Sequence, residues 1–157
     1  MPAHSSLSSI TFWHDADGVF DRLTGTWNLA RTIDGMATMT GMAQFERQYT
    51  DMLGYAERGR MRLASGDEFD AHKKYRFARS PGGFAVCFEE EPLRLFHTIV
   101  LVRNADVLTG VATHLCTPDT YHSNYSFFVD GTFAIRHTVR GPRKAYVSFT
   151  LFRRQSR

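Results

Sequence analysis

From Gly25 onward, apolar and polar residues alternate with a period of two, and turn-forming residues interrupt the alternation about every ten positions. The interruptions are Asp34-Gly35, Thr50-Asp51, Ser65-Gly66-Asp67, Ser80-Pro81-Gly82-Gly83, Glu91-Pro92, Asn104-Ala105-Asp106, Thr117-Pro118-Asp119, Asp130-Gly131 and Gly141-Pro142. Between them the pattern predicts ten strands: 25–33, 37–48, 52–62, 68–79, 84–90, 93–103, 108–116, 120–130, 132–140 and 143–153. Strands spaced this closely are joined by hairpins, which excludes a βαβ fold. Upstream, Val19, Phe20 and Leu23 fall at helical spacing, with Asp15 or Asp17 as a cap and Gly25 as a stop, and predict one short helix.

Each strand has an apolar side to bury. Phe84, Val86 and Phe88 share a face, as do Phe133, Ile135, His137 and Val139, and as do Val147, Phe149 and Leu151. A closed barrel gives all these faces one interior and leaves no edge strand, whereas an open sheet of this size has nothing to cover its apolar side. The expected fold is therefore all-β: a closed antiparallel up-and-down barrel of about ten strands, or eight, with a short N-terminal helix capping one end. Residues 1–12 read as a flexible tail and 13–157 as a single barrel domain.

Composition agrees with a folded β domain. The chain of 157 residues is 43% hydrophobic and carries 13 Phe, 6 Tyr and 2 Trp. No apolar run reaches the ~18 residues of a membrane span, and the first residues lack the basic start and apolar stretch of a signal peptide. An intracellular, cytoplasmic setting is expected. On a meander Cys87 and Cys116 sit two strands apart, ~9.5 Å by sheet spacing, too far for a disulfide, so both are expected as free thiols. The net charge of +3 is uneven, because residues 131–157 hold seven Arg and Lys and no acid. That basic quarter suits an anionic partner or a solvated barrel edge.

Gly25-Thr26-Trp27, following a short helix and opening the first strand, resembles the Gly-x-Trp signature of calycins, the superfamily of lipocalins and fatty-acid-binding proteins. In calycins an Arg of the last strand packs on that Trp and shuts one barrel end, and Arg153 or Arg154 stands at the matching place. The resemblance implies that Gly25, Trp27, Arg153 and Arg154 form a structural closure. The segments 112–121 and 139–146 are similar to those of an uncharacterised family of intracellular calycin-like barrels with no assigned activity. The other two lipocalin motifs have no match. Calycin-like barrels bind small apolar molecules, some hold haem through a strand His, and some are isomerases, cyclases or lyases; the resemblance extends each of these expectations to this chain.

The residues themselves narrow the site. With Pro118-Asp119 as a two-residue turn, Cys116 faces Tyr121 and His114 faces Ser123, and all four share one side of the sheet. Placed inside, a His, a thiol, a phenol and a hydroxyl orient a ligand or move protons. His97, among bulky apolar neighbours, is a further lumen candidate. The ligand-binding candidates are thus His97, His114, Cys116, Tyr121 and Ser123, and the catalytic ones His114, Cys116 and Tyr121. Met36, Met39 and Met42 suit an adaptable pocket edge. Arg31, Arg47, Lys73 and Arg76 sit mid-strand, mostly facing out, although one Arg inside would favour an organic anion. No His-x-x-x-His or Cys-x-x-Cys spacing indicates a metal, and no nucleic-acid motif is present. The leading reading is a binding protein for a small hydrophobic or amphipathic molecule. Its rivals are a lumen enzyme using His114 and Tyr121, and a haem or anionic-partner binder.

Overall fold

Eleven antiparallel strands follow a single helical turn in the computed structural model, which describes residues 12–155. They are α1 (Val19–Arg22), β1 (Gly25–Ile33), β2 (Ala37–Tyr49), β3 (Met52–Leu63), β4 (Glu68–Ser80), β5 (Gly83–Phe88), β6 (Arg94–Val100), β7 (Val102–Asn104), β8 (Val107–Cys116), β9 (Asp119–Phe128), β10 (Phe133–Arg140) and β11 (Ala145–Arg154). Hydrogen bonding joins them in the order β6-β5-β4-β3-β2-β1-β11-β10-β9-β8-β7. The sheet is an up-and-down meander in which first and last strands pair, from Trp27 opposite Arg154 to Ile33 opposite Ser148.

One predicted strand, 93–103, is two. Leu101 is buried at the break and donates its backbone N–H to the Gly82 carbonyl at 2.9 Å, so β6 stays with β5 while β7 passes to β8. At this seam the barrel nearly closes. Gly110 of β8 lies so near β6 that a Cβ there would stand 2.6 Å from Ile99 Cγ2 and 2.9 Å from the Val100 carbonyl.

The expected tail, 1–12, lies outside the described residues except for Phe12, whose ring meets Trp13 edge to face at 4.7 Å. The helix is capped by Gly18, not by Asp15 or Asp17. Asp15 instead accepts the Gly18 N–H at 2.8 Å, and Asp17 accepts that of Gly82, so both acids tie the approach to the helix.

Two sequence expectations about side-chain direction and register are corrected. On β11 the face of Val147, Phe149 and Leu151 points outward, and Ser148, Thr150 and Phe152 are the buried set. Polar side chains can occupy the inner face here because the lumen supplies them with partners, so apolarity alone misassigned the strand. In the β8–β9 hairpin the loop is Thr117-Pro118. His114 therefore faces Tyr121, Ala112 faces Ser123 and Cys116 faces Asp119. Pro118 has no N–H for the ladder and belongs in the loop, whereas Asp119 joins the strand.

Candidate functional site

The interior changes character along its length. At the end covered by α1 it is a packed aromatic core: Trp13 stacks on Trp27 at 5.8 Å, Phe133 stacks on Phe152 at 4.3 Å, and all four are essentially inaccessible. The indole N–H of Trp27 donates to the Leu23 carbonyl and that of Trp13 to the Phe128 carbonyl, each at 2.9 Å. Arg154 lies over the Trp27 ring at 4.4 Å and donates to the carbonyls of Thr24 and Arg22. Gly25 makes room for this arginine, since its φ is +132° and a Cβ would fall 2.5 Å from Arg154 Nη1. Arg153, the other candidate, is exposed.

In the opposite half the barrel holds a cavity of about 190 Å³. Its polar wall is built by residues on five strands. Arg31 of β1 donates Nη1 and Nη2 to the two carboxylate oxygens of Glu57 on β3, at 2.7 and 2.9 Å, and its Nε to Thr150 of β11 at 2.7 Å. Tyr55 donates its hydroxyl to Glu57 at 2.5 Å. Lys73 of β4, opposite Glu57 in the ladder, and His137 of β10 complete the wall. Aromatic residues of the lining include Phe96, Tyr75, Tyr121 and Tyr146.

This setting changes how the groups ionise. Burial alone would raise the Glu57 carboxyl, but the hydrogen bonds and charge of Arg31, with the Tyr55 hydroxyl, hold it below the usual carboxylate range. Burial raises the Tyr55 phenol well above its ordinary value, and Glu57 adds to this. Lys73 lines the cavity while remaining exposed to solvent, and desolvation and then the Arg31 charge lower its ammonium against the pull of Glu57. His137 is pushed down to about 4 by burial, Lys73 and Arg31. It is neutral at pH 7, with Nδ1 hydrogen-bonded to Ser123 at 2.8 Å.

The residues singled out from the sequence are scattered with respect to this cavity. Tyr121 lines it. His97 lies behind the wall, hydrogen-bonded through Nε2 to Tyr125 at 2.8 Å with Nδ1 unpartnered, and burial, then the charges of His137 and His114, push it down to about 3. His114 packs its ring against Phe96 and Phe88, and its buried Nε2 has no hydrogen-bond partner. Ser123 is buried under His137. Cys116 is exposed at the barrel rim, and both cysteines are free.

Of the mid-strand cations, Arg31 and Lys73 face in, Arg47 turns out to Asp21, and Arg76 turns to Glu89. Met39 lines the cavity, whereas Met36 and Met42 are exposed. Glu57, Tyr55, Tyr75, Ser148 and Thr150 are interior groups that the sequence reading passed over. Their signal was parity: Glu57 lies two residues from Tyr55, Tyr75 two from Phe77, and Ser148 and Thr150 four and two from Phe152, each an inward aromatic of the same strand, and Tyr55 lies two from the buried Leu53.

Among the described residues, which exclude Arg157, the basic last quarter does not form one surface. Arg153 and Arg154 end β11 at the packed end, Arg140, Arg143 and Lys144 flank the β10–β11 turn at the other, and Arg136 stacks on Phe149 between them at 5.1 Å. Lys144 pairs with Asp119 at 3.4 Å.

The model of a family of unknown function, DUF6314, matches residues 23–154, from just before the Gly25 turn to the arginine over Trp27. The chain belongs to this family. No curated protein sequence matches it. Among solved structures, a redesigned β-barrel aligns with a TM-score of 0.45 and 14% identity over 95% of this chain and 100% of the other. A second redesigned barrel, mFAP1, bound to DFHBI, aligns with a TM-score of 0.39 and 15% identity over 83% and 94% of the two chains.

Within this DUF6314 barrel a haem does not fit. A cavity of about 150 Å³ takes one benzene, and 190 Å³ falls several-fold short of a macrocycle. His97, the strand histidine nearest in kind to an axial ligand, has Nε2 bonded to Tyr125. Among the described residues no three His, Cys, Asp or Glu converge to hold a metal ion, and no helix is long and apolar enough to cross a membrane.

Proposed function

We propose that this DUF6314 barrel is a binding protein for a small amphipathic molecule, held with its apolar body against Phe96 and Tyr75 and its polar head toward Lys73 and Tyr121. The observation that carries this reading is the cavity of about 190 Å³. Small barrels are otherwise filled by their own side chains, and this one is so filled at the α1 end. A wall that is mostly apolar and aromatic with a few convergent polar groups is the composition of small-molecule sites. The size suits one or two rings, or a short chain, with part of the ligand in the open mouth. Entry is from the end away from Trp27 and Arg154, in keeping with the calycin-like closure. The two free thiols accord with the cytoplasmic setting, which belongs to the same proposal.

Fluorescence titration with the neutral dye N-phenyl-1-naphthylamine tests it. Ala71 lines the cavity at its mouth, and Ala71→Trp fills the space. The wild type is expected to bind the dye and the variant to lose at least about ten-fold in affinity, as a loss of roughly 1.4 kcal/mol gives, with an unchanged melting temperature. Equal binding by a folded Ala71→Trp protein would show that the lumen is not the site.

A further inference from the structure

We propose that the polar head of the ligand is an anion, a carboxylate or similar small acid group, and that Lys73, rather than Arg31, holds it; this rests on the lumen-binding reading above. An arginine inside a barrel is the obvious partner for a ligand acid, but here that position is taken. Arg31 gives one N–H of each terminal nitrogen to Glu57 and its Nε to Thr150, and Tyr55 adds a third donor to the same carboxylate. Glu57 therefore stands where a ligand carboxylate would sit, and the Arg31–Glu57 pair contributes no net charge to the cavity.

Lys73 differs. It lines the cavity and makes no ion pair among the described residues. Its ammonium lies 5.8 Å from the centre of the Tyr75 ring. The other titratable groups of the wall outside the Arg31–Glu57–Tyr55 cluster are the phenols of Tyr75, Tyr121, Tyr125 and Tyr146 and the imidazoles of His72 and His137, none of them a carboxylate. The Lys73 ammonium thus has no carboxylate of its own at the cavity wall; the residue is exposed to solvent, but the cavity beside it is partly desolvated, and an opposite charge is attracted there more strongly than in open water. A ligand acid supplies that countercharge, and the hydroxyls of Tyr121 and Tyr146 are available to donate to it. A neutral head leaves the ammonium unpaired, and a cationic one is repelled. Burial and the Arg31 charge destabilise the Lys73 ammonium, and a bound anion offsets both.

A matched pair of probes, 2-naphthoate and 2-naphthamide, isolates the charge, because ring system and shape are shared. By isothermal titration calorimetry the wild type is expected to bind the acid about ten-fold or more tightly than the amide, as a charge-assisted hydrogen bond of about 1.5–3 kcal/mol would give. In Lys73→Met the preference for the acid over the amide is lost while the protein still unfolds cooperatively, and Lys73→Arg keeps the preference. Equal affinities for the two probes in the wild type, or a preference that survives Lys73→Met, overturn the assignment of an anion to Lys73 and leave lumen binding standing. Binding of neither probe overturns both.

Discussion

Followed from the α1 end toward the mouth, strand after strand repeats one order of inward side chains. On β1 they run Trp27, Leu29, Arg31; on β3, Leu53, Tyr55, Glu57; on β4, Phe77, Tyr75, Lys73; on β10, Phe133, Ile135, His137. One half of the barrel is thus solid aromatic packing and the other a polar lumen, with phenols and medium apolar groups between. The two halves share strands, turns and twist. What separates them is which side chains stand at equal height around the wall. Folding energy is concentrated in the first half, where burial is complete, and the second half has spent apolar contact on groups that need partners. Stability and function therefore occupy different ends of the same strands.

The largest break in that division comes from Trp27→Ala. It deletes the ring between Trp13, Phe133 and Arg154, removes the hydrogen bond to Leu23, and opens a void in a close-packed region. A loss of about 3–5 kcal/mol in urea unfolding is expected. At the mouth, Tyr146→Ala removes a half-buried aromatic that borders the lumen. It should cost about 1–2 kcal/mol, because the vacated space joins an existing cavity. Comparable losses at the two positions would mean that the lumen half is packed as tightly as the other.

Next in size is Glu57→Gln. The charge pair is inward and nearly inaccessible, with the side chains 13% and 3% exposed. Removing one partner leaves the Arg31 guanidinium uncompensated, at about 3 kcal/mol, the low end for buried pairs because the lumen opens to solvent. The sign with pH follows from the depressed Glu57 carboxyl. Its contribution is complete above the unfolded value of about 4.3 and is lost as pH falls through the lower folded value. The variant should therefore be less stable at pH 7 and lose less between pH 4.5 and 3 than the wild type does. A variant as stable as the wild type would show that the pair does not hold the lumen wall together.

Much of the fold was legible because period-two alternation and turn chemistry are local: strand 25–33 matches the structure, and 52–62 differs by one residue from the observed Met52–Leu63. The break at Leu101 was not, since it depends on where the seam of the barrel falls, a non-local matter. The closure by Trp27 and an arginine was readable as a pair of chain ends, but the choice of Arg154 over Arg153 required the β1–β11 register. The site was readable only in fragments. His97 drew notice as a polar group among apolar ones and Tyr121 as part of the hairpin cluster, whereas Lys73 was grouped with mid-strand cations mostly facing out and Glu57 drew no notice. Antiparallel strands run the aromatic-to-charged gradient forward in β1 and β3 and backward in β4, so no single window displays it. The register of β8 against β9 turned on a single question, whether Asp119 ends the turn or begins the strand.

The smallest effect per step, and the most diagnostic of the boundary between the halves, is the acid response of His97. The ring is buried where packing gives way to lumen, bonded to Tyr125, and pushed down to about 3 by burial and then by the charges of His137 and His114. An unfolded histidine titrates near 6.5, so between about 6.5 and 3 the unfolded chain binds the extra proton and the folded chain does not. Stability is complete above about pH 6.5 and falls by about 1.4 kcal/mol per pH unit below it for each such histidine. His137, pushed down to about 4, adds the same sign over a shorter window. Glu57 enters only below about pH 4.3, which leaves the interval from pH 6 to 4.5 to the histidines. His97→Gln keeps a side chain able to hydrogen-bond Tyr125 and removes the titration. Urea unfolding at pH 6 and at pH 4.5 should show the variant losing about 2 kcal/mol less than the wild type over that interval. An unchanged difference would mean that the ring gains solvent on acidification and takes up its proton while folded, so that the lumen reaches deeper into the barrel than the static cavity indicates.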